Sequence, residues 1–124
     1  SIIEQLRKNK IVDTVSPLMN NLFNPANQRF LIDAKRYKPV KEISKLDIPV
    51  LIVQGTNDIQ IEVTDAQMLD EAALKSRLEI IKGMNHVFRQ ASENYLLNMQ
   101  TYGNPELPID GSLVNLIIDF LNED

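Results

Sequence analysis

His86 is the only histidine in the chain, and there is no cysteine. Any histidine-dependent proton transfer must therefore run through His86, while disulfides, thiolate nucleophiles and thiolate metal sites are excluded. His86 closes the stretch Gly83-Met84-Asn85-His86, and Asp58 closes a comparable one, Gly55-Thr56-Asn57-Asp58. A carboxylate beside an imidazole accepts a hydrogen bond from one ring nitrogen, fixes the tautomer and stabilises the imidazolium, leaving the other nitrogen to take a proton from a nucleophile. Taken singly, each residue has a plainer reading: Asn-Asp after Gly is turn chemistry, and a loop histidine needs no more than a hydrogen bond or solvent. Taken together, they form a candidate acid–base pair. The neighbouring carboxylates Glu62 and Asp65 fall at a helix start, where they serve the positive end of the helix dipole.

Two strands must bring the pair together. Pro49-Val50-Leu51-Ile52-Val53-Gln54 is a continuous, largely β-branched apolar run closed by Gly55, the pattern of a strand buried on both faces of a parallel sheet. Leu78-Glu79-Ile80-Ile81-Lys82, ended by Gly83, reads as the second strand. Between them Thr64 and Gln67 have capping-box spacing ahead of Ala66, Leu69, Ala72 and Ala73, which predicts an amphipathic helix. Strand, helix and strand make a βαβ unit whose two strands run parallel. Loops leaving the carboxyl ends of parallel strands converge on one edge, so Asp58 and His86 are expected to meet there. A polar helix is expected around Glu93 to Met99. A last helix carries Leu113, Leu116, Ile117, Phe120 and Leu121 at helical spacing, with Asp110 as its N-cap.

Residues 1–46 read as helical. Ile2, Ile3 and Leu6 share one side of an opening helix. Ser16-Pro17 signals a second, with Leu18, Met19, Leu22 and Phe23 as its apolar stripe, and Asn24-Pro25 signals a third that carries Phe30, Leu31 and Ile32. The basic stretch holding Lys35, Arg36, Lys38, Lys41 and Lys45 reads as a solvated connector rather than an anion or membrane-surface patch. Val40, Ile43 and Leu46 predict a short helix within it with one buried edge. Residues 47–124 then form the βαβα part, which makes the fold class α/β.

The chain is 44% apolar and 24% charged over 124 residues, the balance of one folded domain rather than a disordered segment. Its longest apolar run, Val50 to Val53, falls far short of the roughly 18 to 20 residues that cross a bilayer, so no membrane span is expected. With 13 basic against 17 acidic side chains the net charge is −4, which offers no global positive field to gather nucleic acid.

The stretch from Ile48 to Asp58, followed by His86 in Gly83-Met84-Asn85-His86-Val87-Phe88, resembles the C-terminal part of an α/β-hydrolase. More narrowly it is similar to bacterial serine hydrolases of the lysophospholipase and serine-aminopeptidase-like group. The resemblance extends from about Phe23 to the end and takes in Asn24-Pro25, Gln28 and the Leu107-Pro108 step. In that fold the triad runs Ser, then Asp or Glu, then His. The resemblance therefore implies that Asp58 is the triad acid and His86 the base, that the opening helices belong to a cap, and that the substrate is a small ester or related acyl compound. It implies no cofactor and no metal. Met84, Val87 and Phe88 flank the histidine and are the candidate lining of the acyl pocket.

The departure from that pattern is the nucleophile. No Gly-x-Ser-x-Gly occurs, and Ser1, Ser16, Ser44, Ser76, Ser92 and Ser112 all lack the strand-to-helix elbow that exposes a reactive hydroxyl. The chain is accordingly expected to be a C-terminal fragment, inactive by itself, of an enzyme whose serine is encoded elsewhere. Two strands leave an edge and apolar faces uncovered, so self-association through the Pro49 to Gln54 edge or the apolar cap helices is expected. The alternative is a non-catalytic α/β binding or interaction module, which would ask nothing of Asp58 and His86 jointly.

Overall fold

The structure is a computed structural model that describes residues 1–123; the side chains of Leu18, Asn21 and Leu22 lie outside the described residues, and with them that part of the expected stripe. The chain forms two units, Ser1–Glu42 and Ile43–Asp124.

The first unit is helical. Helix α1, Ile2–Arg7, is started by a capping box in which the Ser1 side chain accepts from the Glu4 amide. A single 3₁₀ turn, Pro17–Met19, leads into the short helix α2, Asn20–Phe23. Ser16 does not cap as expected: its hydroxyl makes no cap bond, and its backbone carbonyl accepts from Met19 instead, closing the tighter 3₁₀ turn. Helix α3, Pro25–Ala34, has the cap its sequence announces, with Asn24 Oδ1 accepting from the Ala26 and Asn27 amides at 3.1 and 3.0 Å. Leu6, Phe23 and Ile32 form the core of this unit. Gln28, fully buried, ties the linking segment down: its amide donates to the carbonyls of Val12 and Phe23 and accepts from the Val12 N–H. Lys35 Nζ donates to the Leu6 and Arg7 carbonyls at 2.9 and 2.8 Å, a cation at the negative end of α1. Helix α4, Pro39–Ile43, buries no residue, so the expected buried edge of Val40, Ile43 and Leu46 is not formed.

The second unit is the βαβ arrangement with two further helices. Strand β1, Val50–Gly55, pairs in parallel with β2, Ser76–Ile81, from Val50 opposite Ser76 to Gly55 opposite Ile81. Helix α5, Val63–Ala72, connects them and packs on both. It starts two residues earlier than the expected Thr64 cap implies: Glu62 is the N-cap and its amide donates to Asp65 Oδ2 at 3.2 Å, the two carboxylates sitting at the positive end of the helix. Helix α6, Tyr95–Gln100, is capped by Asn94 and runs into a 3₁₀ turn, Thr101–Gly103. Helix α7, Gly111–Leu121, begins at the Asp110 cap, whose carboxylate accepts from the Ser112 amide at 2.9 Å. The mixed α/β class is thus present, with two parallel strands.

Burial is uneven. Ile81, Met84 and Leu113 make the core, with Val53 and Leu116 packed against it. Strand β1 is not buried on both faces as expected. Ile52 is buried, but Leu51 and Val53, on the opposite side of the pleat, are half-buried. They border an apolar groove of about 580 Å³ shared with Ile117, Phe120 and Leu121 of α7. The stripe on α7 has the expected period, yet only Leu113 is buried, because among the described residues nothing packs on its outer half.

Gly55 is required at the tip of β1. A Cβ there would lie 2.0 Å from the Met84 carbonyl oxygen, so only a residue without a side chain lets the second loop close over the first strand. Gly55→Ala is expected to cost about 2–3 kcal/mol through forced displacement of the Met84 backbone. Urea unfolding measures this, and a midpoint within error of the parent would refute the close approach.

Candidate functional site

The parallel register sets the ends of β1 and β2 level, so the loops 56–62 and 82–94 start side by side. Asn57 N–H donates to the Met84 carbonyl at 3.0 Å, and Gly83 N–H donates to Thr56 Oγ1 at 2.8 Å. Gly83 has φ +80°, a left-handed conformation that opens the second loop without strain at that residue. The loop then folds back on itself: Asn85 N–H donates to the Arg89 carbonyl and Ala91 N–H to the Gly83 carbonyl, both at 2.9 Å, which leaves His86 near the tip. Phe88 follows with φ +61°, a conformation disfavoured for a bulky side chain and held there by its surroundings.

The two expected residues meet. His86 Nδ1 lies 2.8 Å from Asp58 Oδ2. The carboxylate is buried, its side chain 6% exposed, whereas the imidazole is 40% exposed. Each oxygen of Asp58 has its own task. Oδ1 accepts from the Gln60 and Ile61 amides at 2.8 and 3.0 Å, which is the turn role, and Oδ2 accepts from His86 and from Gln54 Nε2 at 3.2 Å. Burial by itself pushes this carboxyl up, but the hydrogen bonds from Gln60, His86, Ile61 and Gln54 outweigh it and hold the group below its ordinary value. Asp58 is therefore ionised at neutral pH and can only accept. The proton of a neutral His86 ring then resides on Nδ1, and Nε2 carries the free lone pair. Among the described residues Nε2 has no hydrogen-bond partner. The arrangement can take a proton from an incoming hydroxyl and return it.

A cleft of about 160 Å³ lies against the pair, bordered by Gln54, Ile61, Met84 and Phe88. Met84 is 1% exposed and belongs to the core with Ile81 and Leu113, so it presents little surface to a ligand. Val87 is half-buried and outside the cleft lining. Phe88 is exposed and borders both this cleft and the apolar groove of α7. Among the described residues no group of three or more His, Asp or Glu side chains is placed to hold a metal ion, and no helix is long and apolar enough to cross a membrane.

Asn85 and Asn98 belong to this site as well, and sequence reasoning missed both. Asn85 Oδ1 accepts from the Val87 and Arg89 amides at 3.2 and 3.1 Å, while its Nδ2 donates to Asn98 Oδ1 at 2.9 Å and Thr101 Oγ1 at 2.7 Å. The only available signal was that asparagine is a poor residue for a helix interior, which makes Asn98 in α6 locally out of place.

Neither a known family model nor a curated protein sequence matches this chain.

The sign of the Asp58 contribution follows from its depressed pKa. Near and below the ordinary value of 3.8 the unfolded carboxyl holds more protons than the folded one, so folding is favoured as pH rises. The stabilisation is complete above about pH 5 and disappears as pH falls through the folded-state value. Asp58→Asn is expected to be less stable than the parent at pH 7, with the gap narrowing on acidification. A gap that stays constant from pH 7 down to the acid unfolding limb would contradict this account.

Proposed function

We propose that the chain is the C-terminal part of an α/β-hydrolase and that Asp58 and His86 are the acid and base of a Ser–His–Asp triad. The observation that carries the proposal is the Nδ1 to Oδ2 contact at 2.8 Å, with the carboxylate buried and the other ring nitrogen open. Supporting it, the pair sits just beyond the ends of two parallel strands, where that triad's last two members belong. The reaction is acyl transfer to water. A serine hydroxyl supplied outside this chain attacks an ester-like carbonyl, and Nε2 of His86 takes its proton and hands it to the leaving alcohol. Water then attacks the acyl-serine while giving its proton to Nε2, and Nε2 returns that proton to the serine as the carboxylic acid leaves, with Asp58 holding the ring and stabilising the imidazolium throughout. Phe88, exposed beside the histidine, is the candidate acyl contact. The apolar groove along β1 and α7 is the face on which the remaining strands and helices of such a sheet would pack.

In the polypeptide that carries the serine, His86→Ala is expected to lower turnover of a short p-nitrophenyl ester by about 10³-fold or more. Unchanged turnover would remove the assignment, and so would failure of a fluorophosphonate to label any serine in that polypeptide. This chain by itself is expected to show no esterase activity and to self-associate through the groove and the open edge of β1. Sedimentation that reports only monomer at millimolar concentration would count against the self-association.

A further inference from the structure

Helix α6 is built inside out. Tyr95, Leu96 and Leu97 are exposed, while the one fully buried side chain on it is Asn98, at 0% exposure. A six-residue helix gains little from such an arrangement unless the buried amide does something the apolar residues cannot. Its contacts show what that is. Asn98 Nδ2 donates to the Asn57 carbonyl at 2.7 Å, one residue before Asp58, and to the Ser92 carbonyl at 3.2 Å. Its Oδ1 accepts from Asn85 Nδ2, one residue before His86. Asn57 completes the circuit, its own Nδ2 donating to the Ala91 carbonyl at 2.7 Å. One primary amide thus bridges the residues that immediately precede both members of the pair.

We infer that Asn98, acting through Asn57 and Asn85, is a positioning residue that holds the two loops at the spacing required for Asp58 Oδ2 to meet His86 Nδ1. The inference rests on the acid–base reading of that pair and deepens it. The loop it restrains has reason to drift, because Phe88 is held at φ +61°, and besides the loop's own backbone bonds the tip is held from outside by the Asp110 amide on the Phe88 carbonyl. Asn85 transmits the restraint: Oδ1 fixes the Val87 and Arg89 amides on either side of Phe88, and Nδ2 is anchored to α6 and to Thr101. Asparagine suits the bridge because it offers two donors and an acceptor in one planar group, and every one of them is used.

The single histidine makes the test direct, since ¹⁵N spectra of the chain report the tautomer of His86 alone. In the parent at neutral to mildly alkaline pH the ring is expected to be held in the Nδ1–H form. Asn98→Ala is expected to lower the ratio of Nδ1–H to Nε2–H tautomer about tenfold or more, the bias of one charge-assisted hydrogen bond, while cooperative unfolding is retained. Asp58→Asn serves as reference. If it leaves the tautomer ratio unchanged, the acid–base pairing itself fails. If it shifts the ratio but Asn98→Ala lowers stability without shifting it, the pairing stands and the positioning role is overturned. Should Asn98→Ala not fold, Thr101→Val, which removes the Oγ1 that accepts from Asn85 and donates to the Asn98 carbonyl, and Asn57→Ala are read the same way. A shift in either supports the bridge, and parent-like ratios in both reject it.

Discussion

The register of two parallel strands governs everything that follows from this fold. Because Gly55 stands opposite Ile81, the chain leaves β1 and β2 at the same height and the two loops share a boundary from their first residues. A slip of one residue would turn every side chain of β1 to the other face, and it would move the Asp58 loop by a full residue rise relative to the His86 loop. A separation of 2.8 Å between two side chains does not survive a displacement of that size. The pinning of the register is therefore also the pinning of the site. Gly55 contributes by admitting the Met84 backbone, and Asn57 and Thr56 contribute by bonding across the two loops at their roots.

Above that foundation the site is made of polar groups rather than of packed hydrocarbon. Asn85 and Asn98 are almost wholly enclosed, and a buried amide without partners costs about 1–3 kcal/mol for each unmade bond. Among the described residues no buried side-chain nitrogen or oxygen lacks a partner. A network satisfied to that degree has few alternative arrangements, since moving one member strands another. This is the physical reason that hydrogen bonds, weak as net contributors to stability, are effective at fixing geometry. Asp110 and Gln90 extend the same logic on the other flank. The Gln90 amide donates to the Asp110 carboxylate and to the Lys82 carbonyl, and the Asp110 amide donates to the Phe88 carbonyl at 2.8 Å. Hydrogen bonds from Ser112 and Gln90 hold the Asp110 carboxyl below its ordinary value, so it too stays ionised as an acceptor.

Much of this was legible from residue types alone, and the reasons differ by element. Asn24-Pro25 and Asp110 announce helix starts because a short polar side chain and a free first turn are local matters. The Val50 to Val53 run and the Asp58 and His86 positions were legible because a βαβ unit leaves one place for the loops to meet. Ser16 was misleading since Pro17 suits a 3₁₀ turn as well as an α-helix, and only the shorter turn leaves the hydroxyl out of the cap. Thr64 lost to Glu62 because both spacings fit a capping pair and the choice depends on where the loop delivers the chain. Asn98 was illegible for a different reason. Its value lies in residues that are distant in sequence, Asn57 and Asn85, and no window along the chain contains all three.

The contrast between the two sides of this unit bears on how the site could persist while its surroundings change. On the α7 side Leu51, Val53, Ile117 and Phe120 border open space, and whatever covers them governs a large apolar term of about 25 cal/mol per Å². On the loop side Asp58, His86, Asn57, Asn85 and Asn98 are joined to one another by short bonds whose partners all lie within residues 54–101. Hydrophobic cover is non-directional and adds to stability without specifying angles, whereas these bonds specify angles and add little to stability. The arrangement of Asp58 and His86 is consequently a property of the loops themselves. Covering or uncovering the apolar groove changes how firmly the unit is folded, and the groove borders the cleft beside Asp58 and His86 through Val53 and Phe88, the two side chains that line both.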